Sequence, residues 1–335
     1  MSAGTPRERI WVSRPLFPDI LERLHEYFEI EVEDGDRDWT REQMAQKLGD
    51  KTGAILGVAD PVDASVIAQA PLLRAVANRG VGYNNLDVAA LARAGIVATN
   101  TPGVLDETTA DFAWALMLAT ARRVTEAERF LRAGRWQGMS FHIMLGGDVY
   151  GRTLGILGMG RIGQAIARRA SGFRMPVIYH NRSRVDAAIE DDCRARYVDR
   201  ETLLREADFL VLTVPMTAQT RHAIGASELE LMKRSAYLIN IARGGVVDDE
   251  ALISALRNRH IAGAGLDVFE HEPKIPADML ALDNVVLTPH IGSASLATRR
   301  AMASLAVDNL IAALGHGPNA GEPPNVVGPN VAPAR

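Results

Sequence analysis

Three glycines stand at fixed spacing in Gly158-Met159-Gly160-Arg161-Ile162-Gly163, directly after the apolar run TLGILG (153–158) and at the head of a helical pattern over 161–170. In that context G-x-G-x-x-G has a physical meaning. The first glycine makes a tight turn, the second lets a pyrophosphate approach the backbone, and the third lets helix and strand pack closely. The helix N-terminus then faces the phosphate charge. About twenty residues further on, a dinucleotide site ordinarily carries an acid that accepts hydrogen bonds from the adenosine ribose. Here the second strand pattern, PVIYH (176–180), runs into Asn181, Arg182, Ser183 and Arg184, with no acid among them. A neutral Asn181 does not repel a 2′-phosphate, and two guanidinium forks and a hydroxyl suit one. The residues therefore predict NADP(H) as the preferred cofactor, with NAD(H) still possible.

Further reactive residues follow later apolar runs. NIARGG (240–245) sets Arg243 beside two glycines that let a ligand come close, and a guanidinium can grip a carboxylate bidentately. GLDVFEHEP (265–273) and NVVLTPHIGS (284–293) supply acids and histidines. Reducing a carbonyl by hydride transfer requires a proton donor with a pKa near working pH, which histidine meets best. A carboxylate beside it would hold the imidazole and favour its charged form. Of the two histidines, His271 sits in the charged loop EHEPK, whereas His290 follows a buried-looking strand and precedes Gly292. Cys193 is the only cysteine, so an intramolecular disulfide is excluded and a thiolate metal site is not expected; no metal is assigned.

These residues need a scaffold that brings the ends of several strands together. The first hundred residues alternate short apolar runs (10–13, 28–33, 53–58, 73–78, 95–100) with stretches of helical spacing, the rhythm of a parallel sheet covered by helices. A breaker, NTPG (100–103), precedes one long helical region, DETTADFAWALMLATARRVTEAERFLRAG, closed by Gly134. A second alternation runs from 153 to 290, and a last helix over about 296–314 leads into a Pro- and Asn-rich tail. The fold expected is α/β, with two Rossmann-like domains built on parallel sheets. A nucleotide-binding domain (102–290) is inserted into a flavodoxin-like substrate domain made of 1–101 and 291–335.

With 335 residues, 47% hydrophobic and 23% charged, the chain can bury two cores. A net charge of −4 gives no reason to expect nucleic acid or an anionic membrane as partner. The start, MSAGTPRERIW, has no apolar h-region, and the most apolar helical stretch, FAWALMLATA (112–121), spans only about half a bilayer. A cytoplasmic location is expected.

Taken together the motifs resemble the D-isomer-specific 2-hydroxyacid dehydrogenases, within them most closely the glyoxylate/hydroxypyruvate reductases. The resemblance rests on NRGVGYNNLD (78–87), NTPGVLDETTADFAWALML (100–118), GILGMGRIGQAIARRA (155–170), LINIARGGVVDDEAL (238–252), GAGLDVFEHEP (263–273) and NVVLTPHIGSAS (284–295). It implies a catalytic set of Arg243, Glu272 and His290, with Glu272 rather than Glu270 as the acid that keeps His290 protonated. It further implies that His290 protonates the substrate's carbonyl oxygen, that Arg243 binds its carboxylate and carbonyl, that the backbone of Val81 and Gly82 holds the carboxylate, and that Val58 and Gly57 line the substrate side. Asp267 would meet the nicotinamide carboxamide, and Thr108, Val214 and Pro215 would line the cofactor groove. Gly158, Gly160, Arg161, Ile162, Gly163, Ile241, Ala242, Arg243, His290 and Gly292 complete the cofactor set.

The activity implied is NADPH-preferring reduction of small 2-oxoacids to D-2-hydroxyacids, glyoxylate to glycolate and hydroxypyruvate to D-glycerate. The region around 106–145 would serve as the arm of a homodimer. Related reductases often carry a tryptophan in the loop before the glycine motif, contributed by the partner subunit. Here that loop reads SFHIMLGG, with no tryptophan, which admits a longer acid such as hydroxypyruvate or 2-keto-D-gluconate. The alternatives weighed are therefore a 2-ketogluconate reductase, a D-3-phosphoglycerate dehydrogenase and a dinucleotide-sensing protein of the co-repressor kind.

Overall fold

The computed structural model describes residues 7–328. It divides into two compact units, one made of the chain up to Leu105 together with the segment from Ser295 onward, the other of Asp106–Ala294. The expected crossings lay at 101/102 and 290/291.

In the first unit, five strands, β1 (Arg9–Val12), β2 (Glu29–Val32), β3 (Gly53–Leu56), β4 (Ala75–Asn78) and β5 (Val97–Thr99), pair in parallel in the order β2-β1-β3-β4-β5. That is the flavodoxin-like order expected. Strands β3, β4 and β5 are buried along their whole length, which is why they read as unbroken apolar runs. The helix Leu296–Ala313 covers one face, burying Ala306, Val307 and Leu310 against Ile10, Val12 and Ile55. At Gly53 a Cβ would lie 2.8 Å from the Leu314 side chain, so the missing methyl lets the end of that helix settle on the sheet.

The second unit holds β6 (Leu154–Leu157), β7 (Val177–His180), β8 (Ala195–Tyr197), β9 (Phe209–Leu212), β10 (Tyr237–Asn240), β11 (Gly263–Leu266) and β12 (Val285–Leu287). All are parallel, in the order β12-β11-β10-β9-β6-β7-β8. The direction of winding reverses between β6 and β9, and a crevice opens outside the carboxyl ends of the strands at such a switch point. Each expected strand from 153 to 290 is present as a shorter core, and β8 is an addition.

The long helical region corrects the sequence reading. It forms two helices, Asp106–Ala121 and Val124–Arg132, broken at Arg123, whose backbone is left-handed (φ 53°). Such a conformation costs a non-glycine residue about 1 kcal/mol or more. Here the Arg123 fork holds both carboxylate oxygens of Glu126 at 2.7 Å and its Nη1 donates to the Leu145 carbonyl at 3.2 Å. The first helix lies inside its own unit. Ala113, Leu116 and Met117 are buried there, and Trp114 stacks on Phe173 with ring centroids 4.5 Å apart. Glycine at 265 permits that approach, since a Cβ would stand 2.7 Å from the Thr120 hydroxyl. The large exposed apolar residues of the proposed arm therefore begin only with the second helix: Val124, Leu131, Trp136, Met139, Phe141, Ile143 and Leu145. Among the described residues, no helix is long and apolar enough to cross a membrane.

Candidate active site

Every residue expected to bind the cofactor, Thr108 aside, lies just past the carboxyl end of a strand of the second unit. Thr108 sits in the first turn of the helix Asp106–Ala121. Gly158 follows β6 with φ 111°, a conformation few side chains tolerate, and a Cβ there would lie 2.8 Å from the Val214 amide. The Thr213 hydroxyl donates to the Gly158 carbonyl and fixes the turn. Gly163 packs so closely that its Cβ would stand 2.3 Å from the Gly158 carbonyl oxygen. Gly160 differs from both: nothing lies within 4 Å of where its Cβ would be, and it caps the helix Arg161–Ala170. Two glycines are thus needed for packing, while the middle one keeps open space in front of a helix N-terminus. That cradle fits a dinucleotide pyrophosphate.

This difference makes a testable statement. Gly160→Ala should leave thermal stability within about 0.5 kcal/mol of wild type, as an uncrowded substitution does. It should nevertheless weaken dinucleotide binding, read by fluorescence titration. Unchanged affinity would remove the phosphate from this turn.

Asn181 turns inward, its side-chain oxygen accepting from the Met159 amide at 2.6 Å, and Tyr197 donates to its carbonyl at 3.3 Å. Arg182 and Ser183 are exposed. Arg184, expected beside the phosphate, is instead engaged with Glu190, Nε to Oε1 at 2.8 Å and Nη2 to Oε2 at 2.6 Å. Cys193 is buried, its thiol donating to the Gln164 carbonyl at 3.7 Å and pushed up in pKa by burial, as befits a bystander. Val214 is half-buried and Pro215 exposed at the end of β9, while Ile241 and Ala242 are buried after β10.

The two residues expected to handle the proton come together. His290 Nδ1 lies 2.8 Å from Glu272 Oε2, and Glu272 Oε1 accepts from the Phe269 amide at 2.9 Å. About a third of each side chain is exposed. Burial raises the pKa of Glu272, but its hydrogen bond to His290 and the His290 charge outweigh that, leaving the carboxyl below its ordinary value. Glu270 is occupied elsewhere, with Arg221 at 2.7 Å and His222 at 2.9 Å, so the geometry separates the two acids of the EHE stretch. His290 is left-handed (φ 53°) and is held so by its amide, which donates to the carbonyls of Asp267 at 2.9 Å and Thr288 at 3.1 Å. Asp267 is buried and braces the same loop. It accepts from the Thr288 hydroxyl and the amides of Ile291 and Gly292 at 2.7–2.8 Å. Burial pushes the Asp267 carboxyl up despite these bonds, and one acceptor position on Oδ2 is left for a ligand amide.

Arg243 follows β10 in extended backbone (φ −151°) and is half-buried. Burial lowers its pKa, with Glu272 opposing. Asn240, a residue that sequence reasoning did not single out, straps the Arg243 carbonyl at 3.0 Å and accepts from the Ala242 amide at 3.1 Å. A lone polar residue at the end of the apolar run YLIN was the available signal. Gly244 is the tightest glycine in the protein's described residues, a Cβ there landing 1.8 Å from the Phe269 carbonyl carbon. The Arg243 and Glu272 loops are thereby pressed together.

In the first unit the backbone around Val81 and Gly82, expected to meet a carboxylate, is tied down by its carbonyls. The Gly80 carbonyl accepts from the Thr101 amide at 3.2 Å, that of Val81 from Asn100 at 2.8 Å, and that of Gly82 from Asn78 at 2.9 Å. In a trans peptide the N–H points opposite to the preceding C=O. Tying down the Gly80 and Val81 carbonyls therefore aims the Val81 and Gly82 N–H groups the other way, as a pair of donors. Val58 Cγ1 fills the space a Gly80 Cβ would take, at 2.3 Å, and the Gly57 amide donates to buried Asp60 at 2.6 Å. Among the described residues no group of three or more His, Cys, Asp or Glu could hold a metal.

Comparison with known proteins agrees in direction. The family model for the NAD-binding domain of D-isomer specific 2-hydroxyacid dehydrogenases matches residues 114–292. A glyoxylate reductase of Thermococcus gammatolerans is 49% identical over 310 residues, covering 91% of this chain and 92% of the relative. One from Korarchaeum cryptofilum is 47% identical over 333 residues, 98% of each. A solved NADPH-dependent glyoxylate/hydroxypyruvate reductase of Sinorhizobium meliloti, in complex with NADP and malonate, superposes with a TM-score of 0.85 at 39% identity, covering 98% of both chains.

Proposed function

This chain belongs to the D-isomer specific 2-hydroxyacid dehydrogenase family, and on that premise we propose that it reduces glyoxylate and hydroxypyruvate to glycolate and D-glycerate with NADPH as the favoured hydride donor. It is an oxidoreductase acting on CH–OH groups. The observation that carries the assignment is the His290–Glu272 pair, an imidazole braced by a carboxylate at the edge of the sheet that carries the glycine turn. Names of the relatives support the substrate: they are glyoxylate reductases, and one solved relative is NADPH-dependent.

A nicotinamide cofactor bound at the glycine turn supplies the hydride, which goes to the substrate's carbonyl carbon. The chain's residues do the rest. Glu272 occupies His290 Nδ1, so the ring's proton on Nε2 is the one presented outward and passed to the carbonyl oxygen as it becomes an alkoxide. Arg243 holds the carboxylate and orients the carbonyl beside it. The exposed apolar residues from Val124 to Leu145 are assigned to a homodimer interface.

A panel of glyoxylate, hydroxypyruvate, 2-ketogluconate and phenylpyruvate, each with NADPH and NADH, tests the proposal. Glyoxylate or hydroxypyruvate with NADPH should give the highest kcat/KM. Equal or NADH-favoured rates would overturn the cofactor assignment, and a 2-ketogluconate optimum would overturn the substrate.

A further inference from the structure

The cofactor-selecting loop is moored at both ends, and its two moorings differ from what the sequence suggested. At its start, Asn181 is tied to the glycine turn and to Tyr197. At its far end, a buried polar group reaches out of the fold. Tyr179, fully buried near the end of β7, donates to Glu190 Oε1 at 2.6 Å and accepts from the Val185 amide at 3.1 Å. Glu190, buried on the helix Ala187–Cys193, completes its valences with the Arg184 fork. Between the moorings stand only Arg182 and Ser183. Their side chains make no hydrogen bond or ion pair among the described residues.

Resting on the NADPH assignment above, we propose that Tyr179, Glu190 and Arg184 form a clamp that sets the loop, so that Arg184 is a positioning residue and Arg182 with Ser183 meets the 2′-phosphate. Arg184 has good reason to stay where it is. Leaving would strand the buried Glu190 carboxylate without its counter-charge, a state far costlier than the exposed salt bridge it superficially resembles. In place, it also cancels a negative charge that would otherwise repel the phosphate. The pair does not come apart by titration near neutrality. The Arg184 fork first, and the Tyr179 hydroxyl second, hold Glu190 down at about 2, while burial and Glu190 together push Tyr179 up to about 12.

The alternative is that Arg184 swings to grip the phosphate itself, and Glu190→Gln separates the two. A clamp predicts that the variant binds 2′,5′-ADP roughly two- to twelvefold more weakly, the span of one net hydrogen bond. Affinity for 5′-AMP and the KM for NADH should be unchanged. The KM for NADPH should rise by the same factor at constant kcat, a split that a general loss of structure would not produce. If Glu190 instead competes for Arg184, its neutralisation frees the guanidinium and 2′,5′-ADP binds as tightly or more tightly, which overturns the clamp. Should Glu190→Gln not fold by circular dichroism, Tyr179→Phe removes two bonds of the same clamp, to Glu190 and from the Val185 amide, and must give the same pattern. A wild type that binds 2′,5′-ADP no better than 5′-AMP defeats the NADPH assignment and the clamp with it. A wild type that discriminates, with a Glu190→Gln variant that does so equally well, defeats the clamp alone.

Discussion

Replacing His290 by alanine should lower kcat for 2-oxoacid reduction by roughly 10²–10⁴-fold, the scale of a positioned general acid. A thousandfold loss is about 4 kcal/mol of barrier. The size follows from placement. The ring is fixed by the 2.8 Å bond to Glu272 and by a left-handed backbone that two carbonyls hold in place, so a proton carried on it would be delivered with little reorganisation. Water can replace the proton but not the orientation. Glu272→Gln separates charge from geometry, because a glutamine oxygen can still accept from Nδ1. Its loss should be smaller, on the order of tenfold, the difference between a charged and a neutral acceptor. Steady-state rates over a range of pH decide both. A His290→Ala enzyme within threefold of wild type would take the residue out of the mechanism.

Much of the fold could be read because parallel strands buried on both faces write themselves as continuous apolar runs. LGIL, FLVL and YLIN are β6, β9 and β10 for that reason. Strand β8 carried no such mark. It is three residues, Ala-Arg-Tyr, none of them fully buried, at the edge of its sheet. The break at Arg123 was equally silent, since the chain turns there without glycine or proline and relies on a fork to Glu126 that only the folded state reveals. The site residues were legible to the extent that each follows a strand. Asn240, Thr213, Thr288, Tyr179 and Glu190 were not, because they act on other residues' backbone or side chains rather than on a ligand. Arg184 shows the same limit from the other side. Its type suited a phosphate, but Glu190, on the helix that follows the loop, had already engaged it, a loop-to-helix pairing that no local periodicity announces.

Arg243→Lys should cost kcat/KM for glyoxylate on the order of 10²–10³-fold, about 3–4 kcal/mol, even though the charge is kept. A lysine offers one ammonium where arginine presents a planar fork, and bidentate sites do not accept the exchange. The strap from Asn240 and the close seat of Gly244 against Phe269 fix the backbone from which the side chain departs, so a shorter hydrogen-bonding reach cannot be made up by a shift of the loop. The half-buried setting that lowers the Arg243 pKa also strengthens its attraction for a carboxylate, because less water screens the pair. This attributes the loss to a particular part of the substrate, which an uncharged analogue exposes. With glycolaldehyde, which has the aldehyde but no carboxylate, wild type should be slow and Arg243→Lys only a few-fold slower, so the penalty should shrink to about tenfold or less. An equal penalty on both substrates would mean that Arg243 works on the carbonyl alone. No penalty on glyoxylate would leave the carboxylate to other donors.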